Sequence, residues 1–235
     1  MDLTQAIASH WLKQLLRTGP ILDRSLGCHA KRLLDMQGHE ARRRILDAAL
    51  RLVAEEGAEA ASLRRIGAAA GLHNSSLFHY FPGKEAIHDA LAERVVKAAA
   101  ERVALLAADD PPRIASLIDA LGDLAEHLAE RPDDAAYLAR ALSSGTTGAW
   151  AGARERAAAG VLAPIWQWLV RARDAGEIRR VRPQPTTLQL VGLVLLEPAW
   201  ARAGPAAPQG SGLRPALRAR RRELDNWVRS TLGPG

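Results

Sequence analysis

The side chains with the most chemistry to offer sit in one short run, His73, Asn74, Ser75 and Ser76. All four carry hydrogen-bonding groups, and they stand where a tight glycine turn at Gly71 gives way to a short helix. Asparagine can bond an adenine edge in two places, and serine can read either kind of base edge. The helix is closed by aromatics and then by Pro82-Gly83. An element this short can offer only its first residues to the floor of a major groove, because its aromatic end must pack or lie against a backbone. Asn74 also has a plain reading as a helix cap, and spacing does not choose between the two.

Those residues need a scaffold, and the surrounding pattern supplies one. Ile45, Ala49, Leu52 and Val53 recur at helical spacing up to Gly57, a residue type suited to ending a helix. Ser62 is a good cap for a second helix whose inward positions are Leu63, Ile66 and Ala70. Leu77 and Phe81, four apart, anchor the third helix on the first two. Beyond Lys84-Glu85 a long helix is predicted from Ala86 to about Ala107.

Helical spacing then continues to the end of the chain. Ile114, Leu117, Ile118, Leu121, Leu124 and Leu128 form one stripe, and another helix follows Arg131-Pro132-Asp133. A third spans roughly Trp150 to Ala175, and residues 186–196 form the most apolar one. A loop is predicted over 203–212 and a last helix over 213–231. The fold class is all-α, a three-helix helix-turn-helix unit at 36–84 followed by a larger helical domain at 85–235. Residues 1–35 admit two readings, an added amphipathic helix or sequence lying upstream of a start at Met36.

Composition narrows the function classes. The chain has 235 residues, 48% apolar and 25% charged, with a net charge of +6. That is a globular composition, and its positive balance suits a polyanionic partner. A single cysteine, Cys28, excludes an internal disulfide and argues against structural zinc. No apolar run approaches the roughly 20 residues of a membrane span, and no secretion signal is evident, so a cytoplasmic protein is expected.

Residues 40–88 resemble the DNA-binding domain of the TetR family of bacterial one-component repressors. The resemblance rests on Ala48-Ala-Leu-Arg-Leu-Val-Ala-Glu-Glu-Gly57, Ser62, Ile66, Ala70-Gly71, Leu77-Phe-His-Tyr-Phe81 and Lys84-Glu85. It implies base contacts from His73, Asn74, Ser75 and Ser76, and phosphate contacts from Ser62, His79, Tyr80 and Lys84. Arg42, Arg43 and Arg44 either reach the DNA backbone, Arg43 among them, or form a solvated helix start. Three positions depart from the family's pattern, among them Asn74, where a basic or small residue is often found. His73 stands where a small hydroxyl residue is usual, and Phe78 where tyrosine is common, so Phe78 can pack but cannot donate to a phosphate.

The same resemblance implies a homodimer, a palindromic double-stranded operator, repression, and a small-molecule effector bound among the central helices of the ligand-binding and dimerisation domain. Tyr137, Trp150, Trp166 and Trp168 are the pocket candidates, although the same aromatics also fit a plain core. Trp166 and Trp168, two apart, cannot face one interior together. Residues 186–196 and the last helix resemble the dimer-forming pair, and the arginines between 214 and 229 read as a solvated face.

No catalytic residues, cofactor or metal site are expected, since no phosphate loop or nucleophile elbow is present. Glu85, His88 and Asp89 share a helical face but read as an exposed cluster. The alternative function is a helical ligand-binding or scaffold protein whose helix-turn-helix no longer works.

Overall fold

The computed structural model describes residues 24–145, 148–203 and 213–233, which hold helices and turns and no strand. The amphipathic stretch read at 3–16 and most of the loop read at 203–212 lie outside them.

Three helices form the first unit. Helix α1 (Arg24–Glu56) runs without a break through Met36. Its Ile45, Ala49 and Val53 are fully buried, and it ends at Gly57, whose φ of 91° is one that L side chains rarely adopt. Helix α2 (Leu63–Ala69) begins at Ser62, whose hydroxyl accepts the Arg65 N–H at 3.3 Å. It is closed by Gly71 at φ 69°, with Leu72 N–H donating to the Gly67 carbonyl and Gly71 N–H to that of Ala68. Those two bonds make a Schellman stop and turn the chain into α3 (Asn74–Leu77).

Helix α4 (Lys84–Val103) belongs to both halves of the molecule. Its Ile87, Leu91, Val95 and Ala99 are buried in one continuous core. The long helix expected to 107 divides at Ala104, which itself keeps helical φ and ψ, and continues as α5 (Leu105–Ala108).

The body continues with α6 (Ile114–Glu130), α7 (Pro132–Ser143) and α8 (Ala151–Ala157). After α8 come a π turn (Ala158–Leu162) and then α9 (Ala163–Asp174). The single helix expected over 150–175 widens at that turn, and Pro164 accounts for it. Proline has no N–H for the Gly160 carbonyl and its ring crowds that carbonyl, so the backbone opens by one residue. At Gly160 the backbone comes so near α4 that a Cβ would lie 3.2 Å from the Ala100 Cβ.

Helix α6 starts in an unusual way. No local cap satisfies its first N–H groups; Glu177 accepts that of Ile114 at 3.0 Å, and Asp109 accepts that of Arg113 at 2.9 Å and the Ser116 hydroxyl at 3.0 Å. Asp109 is buried and also accepts the indole N–H of Trp168 at 2.8 Å. Burial by itself would raise the Asp109 carboxyl, but the three donors outweigh it and hold the group below its ordinary value.

Helices α10 (Pro183–Ala203) and α11 (Leu213–Leu232) complete the body. The arginines of α11 do more than line a solvated face. Arg221 bonds Asp119 at 2.9 Å and Asp123 at 3.0 Å on α6, and Arg220 donates to the Val194 carbonyl of α10 at 3.2 Å. No helix among the described residues is long and apolar enough to cross a membrane.

Candidate nucleic-acid interface

Helix α3 is held from below and free above. Leu77 and Phe81 are buried at 0% and 1% exposure, whereas His73 and Ser75 are exposed and Ser76 is half-buried. His73 occupies the cap position itself, with its backbone extended and its imidazole making no cap bond. The cap reading therefore moves one residue upstream of Asn74, which opens the helix.

A residue from the first helix locks this arrangement. The Arg42 guanidinium donates to the Tyr80 carbonyl at 2.9 Å and lies 4.1 Å over the Phe81 ring. Phe78 and His79 are exposed, Tyr80 is half-buried, and together they line the outward side of the turn after α3. Lys84, at the start of α4, donates to the Glu59 carbonyl at 3.2 Å and so ties α4 to the loop before α2. Ser62 remains exposed beside it in sequence order as the cap of α2.

Arg43 is otherwise engaged, pairing with Glu40 at 2.7 Å and with Asp47 at 3.4 Å. Arg65 of α2 pairs with Glu56 at the end of α1 at 2.6 Å. All three ion pairs are exposed and so cost little to break.

Two further contacts fasten this unit to the body. Arg94 of α4 pairs with Asp47 of α1 at 2.7 Å, and Arg140 of α7 donates to the Ala54 carbonyl near the end of α1 at 3.4 Å. Sequence reasoning missed both, since each joins residues more than forty positions apart and no local pattern announces them.

The four aromatic pocket candidates separate into different environments. Trp168 is fully buried and bonded to Asp109, Trp166 is 43% exposed, and Tyr137 and Trp150 are brought together with ring centroids 5.0 Å apart. His88 joins that pair, its ring 6.2 Å from Trp150 in an edge-on contact. The exposed cluster read for Glu85, His88 and Asp89 is thus overturned for its middle member, which is 8% exposed. The signal was present: position 88 falls on the same stripe as Leu91, Ala92 and Val95. Burial first, and then the Lys84 charge, push the His88 imidazole below its ordinary value. Among the described residues no group of three His, Cys, Asp or Glu is placed to hold a metal ion.

This arrangement of capped second helix, glycine turn and outward-facing third helix agrees with an independent comparison. The family described as bacterial regulatory proteins, tetR family, matches residues 45–91. Residues 45–91 are a tetR-family domain. Over most of the chain the fold is similar to that of solved transcriptional regulators. KstR2, the ketosteroid transcriptional regulator of Mycobacterium tuberculosis, is 15% identical with a TM-score of 0.63, over 83% of this chain and 95% of that one. AibR, in complex with isovaleryl coenzyme A and operator DNA, is 20% identical with a TM-score of 0.62, over 83% and 100%. SmeT, the repressor of the SmeDEF multidrug efflux pump of Stenotrophomonas maltophilia, is 21% identical with a TM-score of 0.59, over 82% and 90%. Comparison with curated protein sequences finds no match.

Proposed function

We propose that this chain is a homodimeric transcriptional repressor that binds a palindromic operator and releases it when a small molecule enters its body. The observation that carries the reading is α3 itself, anchored inward by Leu77 and Phe81 while His73, Ser75 and Ser76 face out. In this reading residues 73–76 lie on base edges, while Ser62, His79, Tyr80, Lys84 and Arg43 hold phosphates. The unit at 36–84 reads the DNA, and residues 85–235 bind the effector and the second copy.

Dimerisation is read from α10 and α11. Leu188, Leu193 and Leu196 of α10 are 56%, 44% and 67% exposed, a run of large apolar side chains that a monomer has no use for. Leu193 opens onto a groove shared with Leu224 and Trp227 of α11. A two-fold pair built on this face sets two copies of α3 about one turn of DNA apart. The AibR complex, which contains both an acyl-coenzyme A and operator DNA, supports a protein of this fold answering to a ligand.

Selection from random DNA by the purified protein tests the reading. Enrichment of a palindrome supports it; no enrichment favours a scaffold with an idle helix-turn-helix. On the selected site, Tyr80→Ala and Lys84→Ala are expected to weaken binding alike on matched and mismatched sequences. Lys84→Ala should also reduce the slope of log affinity against log salt by roughly one, whereas Tyr80→Ala, which removes no charge, should leave the slope unchanged. Retention of full affinity and slope by both variants counts against these phosphate assignments.

A further inference from the structure

Among the described residues three buried side chains of the body have polar atoms without a protein hydrogen-bond partner; His127, its Nε2 3.6 Å from an Asp134 oxygen, stands apart, and the other two lie together. Both ring nitrogens of His88 and the hydroxyl of Tyr137 are sealed from solvent without a protein hydrogen-bond partner. His88 is 8% and Tyr137 0% exposed, so these are costly places to leave donors and acceptors unmet. Both pack against one half-buried ring, Trp150, the residue just before α8. The exposed pair Asp89–Arg156, 3.2 Å apart, stands near Tyr137 with its two charges paired.

We propose that Trp150, Tyr137 and His88 are the effector-recognition group, taking an uncharged small molecule that stacks on Trp150 and is hydrogen-bonded by the Tyr137 hydroxyl and a His88 ring nitrogen. The inference rests on the ligand-released regulator described above and adds to it the chemical class of the ligand. Burial lowers the His88 imidazole and raises the Tyr137 hydroxyl, so both are neutral near pH 7 and neither offers a full charge to an anion or cation. A hydroxyl or carbonyl on the ligand is what these two groups can satisfy. The placement also joins the site to the DNA-binding unit. His88 lies one turn along α4 from Lys84, which holds Glu59, and Tyr137 lies one turn along α7 from Arg140, which holds Ala54. A ligand drawn between His88 and Tyr137 acts on both helices at once.

Benzyl alcohol is a suitable probe, with toluene and benzoate as its apolar and anionic counterparts, added to the full chain and followed by calorimetric titration and thermal melting. Saturable binding of benzyl alcohol, tighter than that of toluene or benzoate, is the expected result. Tyr137→Phe should then raise the benzyl alcohol dissociation constant about five- to tenfold, the loss of one hydrogen bond. The same change should raise the melting temperature of the free protein by roughly 2–4 °C, because it deletes an unmet buried hydroxyl. Trp150→Leu should weaken the probe with the hydroxyl pair intact. A Tyr137→Phe protein that melts no higher than the parent shows that the hydroxyl is already served by buried water and overturns the proposal. Benzoate binding as tightly as benzyl alcohol, or no binding of benzyl alcohol, overturns it too. An enriched palindrome without benzyl alcohol binding removes the site and keeps the regulator, whereas binding without enriched DNA does the reverse.

Discussion

Phe81→Ala is expected to abolish sequence-specific DNA binding while the helical body stays folded. Phe81 is 1% exposed in the core beneath α3 and supports the Arg42 guanidinium on its face. Truncating a buried phenylalanine typically costs about 3–5 kcal/mol. Here the cost falls on a three-helix unit whose third helix has only the residues Asn74–Leu77 and no side-chain cap at its start. Arg42 loses its ring, and the carbonyl it holds at Tyr80 loses its restraint. Hydrogen exchange should show the amides of 62–83 opening far more often than those of α6 and α7. Phe81→Leu, which keeps most of the volume, should recover most of the DNA affinity. Equal DNA affinity in Phe81→Ala and the parent would mean that α3 is held by something other than this anchor.

Asp109→Ala is expected to destabilise the body by about 3 kcal/mol, because it leaves the indole N–H of buried Trp168 without its acceptor and removes the carboxylate that accepts the Arg113 N–H and the Ser116 hydroxyl at the start of α6. The acid response fixes the sign of the effect. The folded-state carboxyl lies below its ordinary value of 3.8, so its contribution is complete above that pH and is lost as the pH falls through it. The parent should therefore lose stability between neutral pH and about pH 3 by more than the variant does, and the two denaturation midpoints should converge in acid. Parallel pH profiles for the two proteins would remove Asp109 from this role.

The elements were legible wherever a local signal is strong. Gly57 and Gly71 end helices as their spacing promised, each at positive φ, and Ser62 caps α2 with its own side chain. Leu77 and Phe81 are buried as four-residue spacing implied. The order of body helices also follows from their apolar stripes. What stayed hidden was made by contacts between distant residues. Arg42, read only as one of three basic residues at a helix start, turns inward to hold Tyr80 and Phe81. His88 looked like part of a polar face because its neighbours Glu85 and Asp89 are charged, yet its own position points into the core. Of the two tryptophans that could not share an interior, Trp168 goes in because Asp109 offers its indole an acceptor, a bond across 59 residues that no local window contains.

The division of labour within the helix-turn-helix has a consequence for how such a protein changes over generations. The residues that hold α3 in place are Leu77, Phe81 and Arg42, and none of them is among those it turns outward at 73, 75 and 76. His73 and Ser75 are exposed and His73 contributes no cap bond, so exchanging them takes nothing from the folded domain. On the proposed function, two copies left by a gene duplication can drift apart in the DNA word they read while each continues to fold, because vocabulary and architecture are then written in different residues.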